Sequence, residues 1–303
     1  MKKGKMNLAQ VCRAIEKDPY AVVAEAEAHY SSFIERAAYE IDADRHNVIL
    51  LSGPSSSGKT TSAKRIKNLL AEKGHNTLII SMDDFFRQQD EIPLLPNGNK
   101  DWDSLNTLDI DLLNATLKSL TEGRLTPMPT FDFTTKSRKD ASYELQLKKS
   151  DVVIMEGIHA LNPLVDDELP KGLAYKVYID VARDFEELSW RDMRFTRRMV
   201  RDEKFRAYPA LSTAKIWESV VEAEERFVIP YIDNADIVVD SSQAYEVSLL
   251  KEQAEKCLTT LIGTDYEAYA KKLLAVVTKV PSMPSDSVPK NAVIREFFGG
   301  LEI

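Results

Sequence analysis

Short apolar runs alternate with longer amphipathic ones along most of this chain. Residues 7–44 read as helical: Asp18-Pro19 supplies an N-cap and a first-turn proline, and Val22, Val23, Ala26, Tyr30, Phe33, Ile34, Ala37 and Ile41 follow at helical spacing. Asn47 to Ser52 is short and apolar, as a strand buried on both faces requires. Ala63, Ile66, Leu69 and Leu70 then fall on one stripe of a helix predicted over 60–73 and closed by Gly74. Further strands are predicted at Thr77 to Ser81, Asp151 to Met155, Tyr175 to Val181 and Asp236 to Val239, and a helix from Asp109 to Glu122 stopped by Gly123. Strands alternating with helices imply an α/β fold with a parallel sheet.

Residues 83–149 interrupt this rhythm. The stretch 87–108 looks irregular, with Pro93, Pro96, Asn97, Gly98 and Asn99. Two alternating runs, 127–133 and 142–148, flank the polar stretch from Thr134 to Asp140 and read as a hairpin. This insertion is the expected substrate-selecting element. The Pro/Ser-rich segment 281–289 reads as a linker to a short C-terminal tail.

The run Gly53-Pro54-Ser55-Ser56-Ser57-Gly58-Lys59-Thr60 joins the first apolar strand to its helix and fits G-x-x-x-x-G-K-[ST]. A glycine-rich turn there aims several backbone N–H groups at one point, and the helix N-terminus adds partial positive charge. That arrangement suits a nucleotide's polyphosphate, making Gly53, Ser55, Ser56, Ser57, Gly58, Lys59, Thr60 and Thr61 the nucleotide-binding candidates. Lys59 would reach the β- and γ-phosphates, and the Thr60 hydroxyl would bind Mg²⁺. The competing reading is a capping turn with an exposed lysine.

In an open parallel sheet, ligands bind beyond the carboxyl ends of the strands. Asp83, Asp84 and Glu156 fall at such ends. Phosphoryl transfer to a hydroxyl needs a bound cation and a carboxylate to take the proton. Asp83 suits the base and Glu156 the metal role; helix capping and ion pairing are their alternatives. Arg191, Arg194, Arg198 and Arg201 fall within an arc of about 80° on a helix. They suit a lid over phosphates, or a solvated face paired with nearby acids. His159 follows Glu156-Gly157 and reads as a packing residue near the pocket. Trp102, Asp103, Phe131 and Phe133 could stack on a planar base and hold sugar hydroxyls, or simply pack in a core.

Composition narrows the field. The 303 residues carry a net charge of −8, which disfavours a general nucleic-acid binder. Cys12 and Cys257 are too few and too far apart for a disulfide scaffold or zinc site. No apolar stretch approaches the roughly 18 residues of a membrane span. Lys2, Lys3 and Lys5 are not followed by the apolar stretch of a signal peptide, so a cytoplasmic location is expected. The expected organisation is an N-terminal helical segment (1–45), a kinase-like domain (46–262, with its insertion at 83–149 and lid at 184–210), and a C-terminal helix and tail (263–303).

The ordered series Gly53 to Thr61, Ser81-Met-Asp-Asp-Phe-Phe86, Asp101 to Asp109, Pro129 to Phe133, Val152 to Ile158 and Arg194 to Asp202 resembles the uridine kinase family of the uridine kinase/phosphoribulokinase group of P-loop kinases. The tail, with Val280 to Ser287 and Ile294 to Gly300, resembles the end of the longer bacterial uridine kinase-like proteins. The resemblance implies a P-loop NTPase fold with a five-stranded parallel sheet, an arginine lid, and ATP- or GTP-dependent 5′-phosphorylation of a nucleoside. It makes Asp83 the catalytic base, with Lys59 beside it, and Asp103 a ribose-hydroxyl ligand. Thr60, Asp83 and Glu156 form the implied metal site. Arg198 would serve the nucleotide, and Arg201 and Arg206 the acceptor. Asp84, Phe86, Phe131 and Lys136 complete the acceptor candidates. Phe86 stands for a usual tyrosine, and Lys136 follows Phe131-Asp132-Phe133 where the family has a base-reading histidine.

The leading expectation is thus a nucleoside kinase using ATP or GTP and Mg²⁺, with a small-molecule acceptor and neither nucleic acid nor membrane as partner. The sequence permits a homo-oligomer without requiring one. A sugar or sugar-phosphate kinase and a nucleotide-dependent regulatory protein are the rivals.

Overall fold

The run Val48–Ser52 is wholly buried because apolar side chains leave both of its faces, and a sheet forms around it. The computed structural model describes residues 3–44, 46–95, 98 and 100–303; Lys2, Pro96, Asn97 and Asn99, singled out in the sequence, lie outside the described residues. In chain order the elements begin with β1 (Gly4–Met6), α1 (Leu8–Lys17), α2 (Pro19–Ala43), β2 (Val48–Ser52), α3 (Lys59–Glu72) and β3 (Thr77–Ser81). The insertion holds α4 (Ile110–Thr121), β4 (Thr126–Asp132) and β5 (Ser137–Leu145), and leads to β6 (Val152–Glu156), β7 (Ala174–Asp180) and β8 (Arg183–Phe185). The remainder is α5 (Trp190–Phe205), α6 (Ala210–Phe227), β9 (Ile237–Asp240), α7 (Glu246–Thr259), α8 (Glu267–Val277) and α9 (Arg295–Phe298).

The main sheet has five strands in the order β3-β6-β2-β7-β9, all parallel. Alternate residues of β2 face opposite layers. Ile49 and Leu51 pack with Ile34 and Ile41 of α2 and Ile66 and Leu70 of α3, whereas Val48 and Leu50 pack with Leu113 and Leu117 of α4. Burial of each such side chain contributes roughly 1.5–3 kcal/mol. Helix α2 begins as the sequence indicates: Asp18 Oδ1 accepts from the Ala21 N–H at 3.0 Å, and Pro19 occupies the first turn. It covers the sheet, and its buried Tyr30 hydroxyl bonds the Ser62 hydroxyl of α3 at 2.8 Å.

Three local features depart from the expected pattern. The hairpin's second strand starts at Ser137 rather than at 142, because backbone pairing with β4 extends it through a polar stretch that buries almost nothing. A two-stranded parallel pair, β1 with β8, joins the N-terminus to the loop after β7, each strand being only three residues long. Segment 281–289 is not a free linker. Arg295 donates to the carbonyls of Ser285 (2.8 Å), Val288 (2.6 Å) and Pro289 (2.7 Å), while Met283 and Val288 are buried.

Helix α3 starts where Gly58 takes φ 92°, a left-handed value that side chains disfavour. Gly53, at the end of β2, is required by proximity. A Cβ there would overlap the Ile179 carbonyl oxygen of the neighbouring strand and lie 2.7 Å from Ser57 Oγ. Gly53→Ala is therefore expected to cost about 1–3 kcal/mol. Urea unfolding checks this, and an unchanged midpoint would show that the loop adjusts freely.

Candidate active site

The loop from Gly53 to Thr60 wraps the N-terminus of α3. The Ser57 N–H donates to the Pro54 carbonyl at 3.2 Å, and Ser56 adopts φ 60°, so the chain curls tightly enough to turn amides inward. Lys59 Nζ folds back to the Pro54 carbonyl at 3.2 Å. Two guanidiniums of α5 hold this loop from outside. Arg194 Nε donates to the Ser55 carbonyl at 2.7 Å, and Arg197 Nη1 lies 3.5 Å from the Ser56 carbonyl.

Both arginines are wholly buried and ion-paired, Arg194 with Glu224 of α6 and Arg197 with Glu246 of α7. Glu224 also accepts the Ser55 N–H at 3.1 Å. The expectation that Arg191, Arg194, Arg198 and Arg201 close as one lid is thus corrected: Arg194 serves as a fixed strut, and Arg191 pairs with Glu225 outside the cavity at 2.5 Å. Arg198 and Arg201 do face the cavity, together with Arg206 beyond the end of the helix. All three reach the buried carboxylate of Asp202, at 3.3, 2.9 and 3.5 Å respectively. Arg198 Nη1 also donates to Ser55 Oγ at 2.8 Å.

The loop opens into a cavity of about 460 Å³. Lys59, Thr60, Asp83 and Glu156 all line it, so the chain segments following β2, β3 and β6 converge at the carboxyl ends of the strands. Its charges are Lys59, Arg198, Arg201 and Arg206 against Asp83, Asp103, Glu156 and Glu296. Desolvation dominates the titration of the acids. Burial pushes Glu156 up to about 7 and Asp103 up to about 6, and raises Asp83 as well; Lys59 opposes the rise at Glu156 and Asp83. Burial likewise lowers Lys59.

Buried carboxylates whose proton affinity is raised by desolvation, lining one cavity with a hydroxyl and a phosphate loop, are a donor set that a divalent cation would relieve. Among the described residues, no group of three or more His, Cys, Asp or Glu side chains could hold a metal by themselves. Magnesium takes one or two carboxylates and completes its shell with water and phosphate oxygens, and Glu156 beside the Thr60 hydroxyl supplies donors of that kind.

Part of the cavity wall is aromatic. Phe86, Trp102 and Phe133 line it with Asp103, and Phe131 stands behind them in edge-on contact with all three rings at 5.2–6.0 Å. Asp84 lies outside: its carboxylate accepts the Phe131 N–H at 3.1 Å and ties the hairpin to the end of β3. Lys136 is also outside, at the hairpin turn with φ 54°, beside a separate open cleft with Gln88 and Asp90. It therefore does not line the cavity shared by Lys59, Asp83 and Asp103. Gly53, Ser57 and Thr61 support the loop without lining the cavity, and Phe131 supports the aromatic wall. His159 is buried edge-on against Phe227 at 5.9 Å, and burial pushes it down to about 4.

Four acids escaped the sequence reading as functional groups: Asp202, Glu224 and Glu246, which position arginines, and Glu296. The excess of acids around the Arg-rich helix was the only available signal for the first, and long-range pairing hides the others.

The profile of the family described as "Phosphoribulokinase / Uridine kinase family" matches residues 48–248, so this chain belongs to that family. It is a P-loop kinase, a phosphotransferase with an alcohol acceptor. A uridine kinase of Staphylococcus aureus is 30% identical over 204 residues, covering 67% of this chain and 91% of that protein. Among solved structures, a possible uridine kinase from Bacillus stearothermophilus is 22% identical, with 64% of this chain and 88% of that one covered and a TM-score of 0.41. A D-glycerate 3-kinase from Cryptococcus neoformans is 16% identical, with 82% and 87% covered and a TM-score of 0.34. No helix among the described residues is long and apolar enough to cross a membrane.

Two outcomes test the electrostatics. Glu224→Gln leaves the Arg194 guanidinium buried without its counter-charge and is expected to cost about 3 kcal/mol or more; a shift in the urea midpoint below a third of that would show the strut to be dispensable. For Glu156, the unfolded chain loses its proton near the ordinary value of 4.5, while the folded protein keeps it to about 7. Between those values the native state holds the extra proton, so the stability present at low pH is lost as pH rises. Glu156→Gln cannot ionise. Its stability relative to wild type is expected to be constant below pH 4.5, to grow up to about pH 7 and then to level. Parallel profiles would show that Glu156 ionises in the native state as it does in water.

Proposed function

We propose that this kinase transfers the γ-phosphoryl group of ATP or GTP to the 5′-hydroxyl of a nucleoside. The observation that carries the reading is a single cavity lined together by the phosphate loop, by the rings of Phe86, Trp102 and Phe133 with Asp103, and by Asp83. Phe86, Trp102 and Phe133 suit a flat base, and Asp103 suits vicinal hydroxyls of a ribose. Asp83 accepts the proton of the attacking hydroxyl, and burial, by raising its proton affinity, strengthens it as a base. Lys59 and Arg198 spread the charge that develops on the transferred group. Magnesium would be held by Thr60 and Glu156, with Asp83 adjacent, and supplies charge neutralisation on the phosphate oxygens.

A sugar-phosphate acceptor is the second reading. It is supported by Arg206, whose side chain remains 58% exposed at the cavity despite its contact with Asp202. A screen of ADP release over nucleosides, pentose phosphates and simple sugars, with product mass measured, separates the two: release stimulated only by phosphorylated acceptors would overturn the nucleoside reading.

Asp83→Asn is expected to lower turnover by about 10² or more while ADP affinity changes little. Turnover within a few-fold of wild type would remove Asp83 as the base. Phe133→Ala, which strips one ring from the wall, is expected to raise the acceptor KM by up to about tenfold with kcat nearly unchanged; an unaltered KM would place the acceptor elsewhere.

A further inference from the structure

The C-terminal tail enters the nucleotide end of the cavity. Glu296, on the four-residue helix α9, lines the same space as Lys59 and Arg198. Its Oε2 accepts from the Thr61 hydroxyl at 2.6 Å and from the Thr61 N–H at 3.3 Å. That amide belongs to the first turn of α3, among the orphan donors that a phosphate loop offers to an anion. Thr61 itself does not line the cavity but Glu296 does, so the carboxylate stands between these donors and the space a nucleotide phosphate would enter.

The tail is seated by specific contacts. Val293 is fully buried, with its Cγ2 2.5 Å from where a Cβ on Gly58 would stand, so the bare glycine admits it. Phe297 is buried beneath the Arg197 guanidinium at 5.2 Å, and Lys204 Nζ donates to the Phe298 carbonyl at 2.6 Å. The same α5 that bears Arg198 and Arg201 thus also grips the tail. A phosphate and a carboxylate cannot share these donors, and two anions brought together there repel.

We propose that Glu296 is a built-in competitor for the nucleotide's phosphates: the C-terminal tail closes the phosphate loop, and nucleotide binding requires its carboxylate to leave Thr61. This rests on the phosphate loop's binding nucleotide. The fraction of molecules with the tail withdrawn then scales the apparent affinity, since a site open only part of the time binds more weakly by that fraction. The tail is a throttle on the kinase that any partner or modification stabilising its withdrawn position would release.

Calorimetry with ADP, with and without Mg²⁺, and with inorganic tripolyphosphate tests this on the full-length wild type, Glu296→Gln and Glu296→Ala. Both changes leave Val293 and Phe297 in place. Glu296→Ala is expected to tighten ADP and tripolyphosphate alike by about tenfold, with KM for ATP falling in parallel. Equal or weaker binding by the variants would overturn the competitor role and leave the kinase reading intact. Absence of ADP binding in all three proteins would overturn both. Hydrogen exchange on the wild type needs no variant: amides of 292–298 are expected to exchange faster once ADP is added, and unchanged or slower exchange would make the tail part of the closed site instead.

Discussion

Two buried guanidiniums grip the phosphate loop by its carbonyl oxygens, and the rest of the site depends on that grip. A loop that turns its amides toward a ligand must send carbonyls the other way, and here those carbonyls meet Arg194 and Arg197 rather than water. Each guanidinium could not be buried alone; Glu224 and Glu246 compensate them from two further helices. The loop, α5, α6 and α7 are thereby locked in one arrangement. A loop held this way needs little reorganisation when an anion arrives, which is the condition under which fixed dipoles are most effective.

The same helix works in two registers. Arg194 and Arg197 face inward as struts, while Arg198 and Arg201 project into the cavity and are gathered, with Arg206, around the buried Asp202. The shared carboxylate keeps three cations together that would otherwise repel one another. On the opposite wall the acids are raised by burial, so the cavity is poised between excess negative and excess positive charge. Such a balance is compatible with a charged ligand entering the cavity, and a carboxylate from the tail already rests there against Thr61.

The acceptor end follows a different rule. Its wall is three rings supported by a fourth: Phe131 and Phe133 belong to a hairpin whose second strand is almost entirely solvated, whereas Phe86 follows β3 and Trp102 precedes α4. The hairpin is anchored by Asp84 accepting a backbone N–H from β4, so an acid next to the candidate base acts as a tether. Under the proposed reading, part of the acceptor wall would be carried by a peripheral hairpin, while the candidate transfer groups stand at the ends of the sheet strands.

What the sequence alone determined is what local pattern and short-range chemistry can encode. The buried strand before Gly53, the glycine-bearing loop and the amphipathic helix after it are contiguous, so their geometry follows from neighbours along the chain. The acids at the ends of β3 and β6 were legible for the same reason, since parallel strands all present their carboxyl ends to one side. Only the tertiary structure decided which arginines are struts and which face the cavity, because an 80° arc on a helix is divided by whatever packs against it. It also decided that Lys136 turns away, through a hairpin whose length is set by backbone pairing, and that Glu296 reaches Thr61 across 235 positions of sequence. Contacts of that span carry no local signature: they arise when separately encoded elements are packed together, and burial rather than sequence spacing selects the partners.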